Sequence, residues 1–138
     1  MRSLAALLLL AACRADGAPP ACPAGTSAAA VAELAFGRNG PDGHLRVTEA
    51  DWTSFLVEEV TPRFPDGLTV LDAAGQWRGP DDRVAREPSK LLWLVMPGTK
   101  IEEAGGRTRP LAEVYRRRFR QESVLAVYRS GCAAISGR

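Results

Sequence analysis

The hydrophobic pattern of the chain changes character several times, and each change marks an element. An unbroken apolar run, Leu4 to Ala12, stands between Arg2 and Cys13. It is about half of what a bilayer-spanning helix needs, so it reads as a secretory signal to be set aside from the fold. From Ala15 to Ser27 (ADGAPPACPAGTS) apolar periodicity is absent and Pro, Gly and Ala dominate, the composition of a tether. Ala28 to Phe36 (AAAVAELAF) predicts a strand, closed by Gly37 and the turn-rich Asn39-Gly40-Pro41-Asp42-Gly43. A helix follows: Thr48 and Asp51 have capping-box spacing, Val47 and Trp52 occupy the hydrophobic-staple positions, and Trp52, Phe55, Leu56 and Val60 share one face. Thr61-Pro62 ends it.

Leu68 to Trp77 (LTVLDAAGQW) predicts the second strand, Gly79-Pro80-Asp81-Asp82 a hairpin turn, and Lys90 to Met96 (KLLWLVM) the third strand, stopped by Pro97. Thr99 with Glu102 suggests a capped helical turn, which Gly105-Gly106 weakens. The dependable part of the second helix therefore begins at Pro110, with Leu111, Val114, Tyr115 and Phe119 on one face. Ser123 to Tyr128 (SVLAVY) predicts a last strand.

The order βαββαβ implies an α+β, ferredoxin-like sandwich: a four-stranded antiparallel sheet with two helices on one face. The implied division is a lipoprotein signal peptide at 1–12, a flexible tether at 13–27, the folded domain at 28–132 and a short tail at 133–138. The first and last strands are antiparallel neighbours in that architecture. Cys22, just before the first, then meets Cys132, just after the last, and a disulfide follows.

A sheet covered by helices on one side should alternate apolar and polar residues. The third strand does not: Leu91, Trp93 and Val95 point one way, Leu92, Leu94 and Met96 the other, and Val124 and Leu125 put apolar groups on both faces of the last strand. Three readings remain open: a second copy of the chain on the open face, a ligand there, or central strands that are simply apolar.

Composition narrows the functional classes. The 138 residues are 46% hydrophobic and 25% charged, with a formal net charge of +2 that falls to +1 once Arg2 leaves with the signal. Such a balance gives no electrostatic footprint for nucleic acid. One histidine, His44 in a glycine-rich loop, and three cysteines exclude a multi-histidine metal site, and no cofactor fingerprint, P-loop or nucleophile elbow is present. Leu10-Ala11-Ala12-Cys13 resembles a bacterial lipobox, which implies a mature chain starting at lipidated Cys13, and Arg14 after it resembles a signal for the periplasmic face of the outer membrane. The cysteine inventory closes as one membrane anchor and one bridge in an oxidising compartment.

The candidate ligand-binding constellation is Gln76, Trp77, Glu87, Ser89 and Lys90 around the hairpin, with Arg63 and Asp66 leading into it. A carboxylate, an ammonium and an amide beside an indole suit a small polar ligand. Against this stand plainer roles: Glu87 and Lys90 as a surface ion pair, and Asp66-Gly67 as a turn. Arg116, Arg117, Arg118 and Arg120 are spread around the helix axis, which suits a solvated face. Glu33, Glu58, Glu59 and Glu87 could pair for acid–base work, but spacing alone does not set their separation.

At Arg63-Phe64-Pro65-Asp66-Gly67-Leu68-Thr69-Val70, Gly75-Gln76-Trp77-Arg78, Arg86-Glu87-Pro88-Ser89-Lys90 and Arg118-Phe119-Arg120-Gln121-Glu122-Ser123-Val124 the chain resembles the bacterial domain of unknown function family 3574, over roughly residues 32 to 127. Glu33-Leu34-Ala35-Phe36-Gly37 matches that family's opening strand, with Ala35 where tyrosine is more usual, and Gly105-Gly106 departs from its continuous second helix. The resemblance implies a small secreted or lipid-anchored protein and carries no activity. The expectation is thus a lipid-anchored cell-envelope module that binds a partner or small polar ligand and forms a homodimer through its sheet face. The alternative is a small cofactor-independent enzyme of the dimeric α/β-barrel type, monooxygenase- or isomerase-like, with its pocket on the covered face.

Overall fold

The computed structural model describes residues 21–79 and 81–137. The proposed signal peptide, Cys13 and most of the tether lie outside the described residues. Along the chain run β1 (Ser27–Gly37), α1 (Glu49–Phe55) continued by a π-helical turn (Leu56–Val60), β2 (Thr69–Arg78), β3 (Val84–Pro97), α2 (Ile101–Phe119) and β4 (Leu125–Ala133). This is the α+β ferredoxin-like arrangement. The sheet is antiparallel throughout in the order β2-β3-β1-β4, with β1 and β3 central.

Local chemistry accounts for the start of α1. The Thr48 hydroxyl accepts the Asp51 N–H (3.1 Å), the Asp51 carboxylate accepts the Thr48 N–H (2.9 Å), and Val47 and Trp52 are both buried beside the cap. At its far end the Thr61 N–H donates to the Leu56 carbonyl at 2.8 Å, the wider π spacing, and Pro62 prevents another turn.

Helix α2 is longer than its sequence predicts. It begins at Ile101, nine residues before Pro110, with Lys100 rather than Thr99 at the N-cap and Glu102 and Glu103 favourably placed in the first turn. Gly105 and Gly106 are carried because Ala104, Thr108, Leu111, Tyr115 and Phe119 are buried along one face, and that burial outweighs poor propensity. Pro110 removes the N–H that would reach the Gly106 carbonyl, at an exposed residue where water can take its place. Arg120, at φ 53°, closes the helix in the left-handed conformation.

Alternation along β1 sorts the two faces of the sheet. Ala30, Ala32, Leu34 and Phe36 are almost wholly buried, and Leu92, Leu94 and Met96 of β3 lie beside them under the helices. There Phe36 meets Trp52, Phe55 and Tyr115 at ring-centroid distances of 5.3, 5.8 and 4.7 Å. On the opposite face Trp93 is 41% and Leu125 66% exposed, with Leu71 and Val127 also open. An ion pair between Glu33 and Arg129 lies among them. Both faces of β3 are therefore apolar, as its sequence indicates, but only one is covered by the described residues.

Cys22 and Cys132 form a disulfide with 5.5 Å between their Cα atoms. The reason is the register: Cys132 lies opposite Ala28 in the β1–β4 ladder, and Cys22 precedes that ladder.

Candidate functional site

The candidate site arises from a mismatch of strand lengths. Strand β1 ends at Gly37 opposite Ser89, whereas β2 and β3 stay paired as far as Arg78 and Val84. The last part of that hairpin projects as a two-stranded arm beyond the sheet. β3 accordingly starts at Val84, six residues before its predicted beginning. Loop 39–43 and the α2–β4 connection at 120–123 face the arm, and the three enclose a cleft of about 680 Å³.

The floor continues the open sheet face, with Ala35, Gly37, Gly75, Ser89 and Leu125 among its lining. At two of these positions the missing side chain leaves room for a polar group. A methyl group at Gly37 would sit 2.5 Å from the Glu87 carboxylate, and one at Gly75 would sit 2.8 Å from the Ser89 hydroxyl. The absence of side chains lets both polar groups lie against the floor. Glu87 is half-buried, and its Oε2 accepts the Asn39 N–H at 3.1 Å. The Trp77 indole, 43% exposed, stands on the arm above.

The surroundings are braced from the core. The Tyr115 hydroxyl donates to the Gly37 carbonyl at 2.8 Å, and burial pushes its pKa well above the ordinary tyrosine value, so it remains a donor. The Gln121 amide donates to the Asn39 carbonyl at 2.9 Å, tying the two loop walls together. The Arg38 N–H donates to the Pro88 carbonyl at 3.1 Å, fixing the end of β1 against the root of the arm.

Of the residues singled out from sequence, the structure brings Gln76, Trp77, Glu87 and Ser89 to this cleft. Lys90 does not join them. Adjacent strand residues point to opposite faces, so Lys90 lies on the helix side, buried, with its Nζ 2.8 Å from Glu49 and in contact with Asp72. The Glu87–Lys90 ion pair is replaced by this network, which Arg38 enters through Glu49 at 2.6 Å and the Val47 carbonyl at 2.8 Å. Asp72 first and Glu49 second raise the Lys90 pKa, and Lys90 is the main cause of the lowering at both carboxylates. The network joins α1, β2 and β3, and its role is structural.

Arg63 also lies apart from the cleft. Its guanidinium pairs with Glu59 at 2.7 Å and its carbonyl accepts from Arg107 at 2.8 Å, bracing the end of α1 against α2. Asp66 is exposed in the turn before Gly67, whose φ of 137° requires glycine. Glu58 pairs with Arg118 (2.6 Å) and Glu33 with Arg129, so the glutamates do not converge. His44 is exposed in its loop. Among the described residues no group of three or more potential metal ligands comes together.

Sequence reading missed the walls contributed by Asn39 and Gln121. Asn39 sits in a segment that reads only as a turn, and nothing local connects it with residues 48 and 82 positions further on.

Residues 31–135 match a family described as "Protein of unknown function (DUF3574)". No curated protein matches. Among solved structures the chain is similar to a phage SAM lyase in complex with S-methyl-5'-thioadenosine, at 15% identity and TM-score 0.61, covering 86% of this chain and 96% of that one. A phage SAM lyase in the apo state aligns at 16% identity and TM-score 0.55, covering 83% of this chain and 94% of that one. At such identity the likeness is one of fold.

Proposed function

Because the chain belongs to the DUF3574 family, whose function is unknown, its role has to be argued from the cleft, and we propose that it is a lipid-anchored cell-envelope module that binds a small ligand there. The observation that supports this most directly is the cleft of about 680 Å³ at the foot of the β2–β3 arm, where Glu87 and Trp77 flank a glycine floor. Amide-shift mapping of the purified protein against a small-molecule fragment library tests it. Shifts at Gly37, Gly75, Trp77, Glu87 and Gln121 are expected; fragments that bind only elsewhere would sink the reading.

The anchor belongs to the same proposal, with Cys13 as the lipidated residue and Arg14 favouring the periplasmic face of the outer membrane. The Cys22–Cys132 disulfide accords with an oxidising compartment. Replacing Cys13 with serine should move the protein from the membrane fraction to the soluble fraction, because a diacyl group is what holds it. Unchanged retention after Cys13→Ser overturns the anchor.

A second copy is the occupant proposed for the open sheet face. Leu71, Trp93, Leu125 and Val127 are exposed there together, more apolar surface than scattered side chains explain. Leu125 belongs to both this face and the cleft floor, so sheet-to-sheet packing would also roof the cleft. Sedimentation should show a dimer that Trp93→Glu converts to a monomer. A wild-type monomer refutes it.

A second reading, a small enzyme of the dimeric α/β-barrel type, draws on the fold likeness to the phage SAM lyase over 96% of that chain. Incubation with S-adenosylmethionine, followed for S-methyl-5'-thioadenosine, separates the two readings. Release that depends on Glu87 favours the enzyme; intact substrate favours the binding module.

A further inference from the structure

We infer that the cleft selects ligands bearing an organic cation, with Glu87 as the countercharge and the Trp77 indole as the aromatic wall beside it. This rests on the reading of the cleft as a ligand site and adds the class of ligand.

Four acidic side chains among the described residues are partly buried: Glu33, Asp51, Glu59 and Glu87. Glu33 pairs with Arg129, Glu59 with Arg63, and Asp51 closes the capping box on Thr48. Among the described residues no arginine or lysine lies within ion-pair distance of Glu87, and a backbone N–H, from Asn39, is its hydrogen-bond partner. A carboxylate drawn out of water without a countercharge is costly, and the cost is recovered when a cation arrives. Glu87 is also held in place: space over Gly37 admits it, the Tyr115 hydroxyl fixes the Gly37 carbonyl, and the Asn39 N–H orients one oxygen. A preorganised countercharge favours a bound cation over a hydrated one.

The indole supplies the second half of the recognition. Trp77 and Glu87 belong to neighbouring strands of the arm, with Trp77 opposite Ala85 and Gly75 opposite Glu87, so both side chains rise from the same face. The cation–π contacts among the described residues use Phe64 with Arg107 and Phe119 with Arg118 and do not engage Trp77, which is 43% exposed. A half-exposed indole on the same face of the arm as an unpaired carboxylate adds a second attraction for an ammonium or similar organic cation. Arg83, Arg86 and Arg120 also line the cleft, with Asp81 and Glu122. None of the three arginines forms an ion pair with Glu87, and Arg83 is paired with Asp81. At the floor itself Glu87 would therefore repel an anionic ligand, and a neutral one would leave it unpaired.

Calorimetric titration of the full-length protein with three ring compounds of similar size, benzylamine, benzyl alcohol and benzoate, isolates the charge. Benzylamine is expected to bind about tenfold more tightly than benzyl alcohol, with benzoate weaker still. Glu87→Gln, which keeps an acceptor for the Asn39 N–H, should remove the advantage of the amine and leave the alcohol unchanged. Trp77→Leu should weaken benzylamine roughly fivefold. If the alcohol or benzoate binds in the cleft as well as the amine, or Glu87→Gln binds benzylamine undiminished, cation selection is wrong while the ligand cleft stands. Failure of benzylamine to bind overturns the inference too, and the cleft itself falls only if the fragment mapping is also empty.

Discussion

Loss of the Cys22–Cys132 bridge should lower the unfolding free energy by about 4 to 5 kcal/mol, the chain-entropy value for so long a loop. The two cysteines are 110 positions apart, so the bond encloses nearly the whole folded unit and restricts the unfolded chain accordingly. Small domains are stable by only about 5 to 15 kcal/mol. The Cys22→Ser/Cys132→Ser protein should therefore sit close to its unfolding threshold at ambient temperature. It should still reach the same fold, because the β1–β4 register from Ser27 opposite Ala133 to Ala35 opposite Leu125 does not depend on the bond. Urea denaturation of wild type and double variant, with and without reductant, measures the effect. A difference below about 1 kcal/mol would show that the unfolded chain gains little freedom when the bridge is absent.

Phe36→Ala should be among the most damaging single truncations in the core, at about 3 to 5 kcal/mol. Phe36 is fully buried and touches three aromatic partners, Trp52 and Phe55 from α1 and Tyr115 from α2, so both helices lose their common contact with β1. Phe119 lies at the margin of the cluster, 7% exposed and next to Phe55 and Tyr115, and Phe119→Ala should cost clearly less. The truncation should also reach the cleft, since Gly37 follows Phe36 and is anchored by the Tyr115 hydroxyl. Thermal unfolding of Phe36→Ala, Phe36→Leu and Phe119→Ala checks the order. Equal losses at positions 36 and 119 would contradict the central place given to Phe36.

Both predictions rest on features with different degrees of legibility. Thr48, Asp51, Val47 and Trp52 lie within six residues of one another, and their pattern indicates the start of α1 before any tertiary contact is considered. The cysteine pairing needs one further step, the strand order that βαββαβ implies, and the register then brings residue 132 to the head of β1. The start of α2 was not legible. Gly105-Gly106 and Pro110 argue locally against nine residues of helix, and burial of Ala104 and Thr108 against the sheet overrides them.

The cleft divides in the same way. Gln76, Trp77, Glu87 and Ser89 flank one hairpin, and their proximity follows from the pairing of its two strands. Lys90 is adjacent in sequence yet faces the opposite side of the sheet, because strand alternation separates it from Ser89.

By itself, then, the sequence determined the element types, the two apolar faces of the central strands, the hairpin and the cysteine pair. Each follows from interactions within a few residues or from the connectivity of the elements. Tertiary structure alone decided that β1 stops at Gly37 while the β2–β3 arm continues, that Asn39 and Gln121 wall the space this leaves, and that Glu87 lies on its floor with no cationic side chain among the described residues paired to it. Those facts depend on where separate strands end relative to one another in space. Strand ends are set by packing across the whole sheet, for which no short stretch of residues carries a signal.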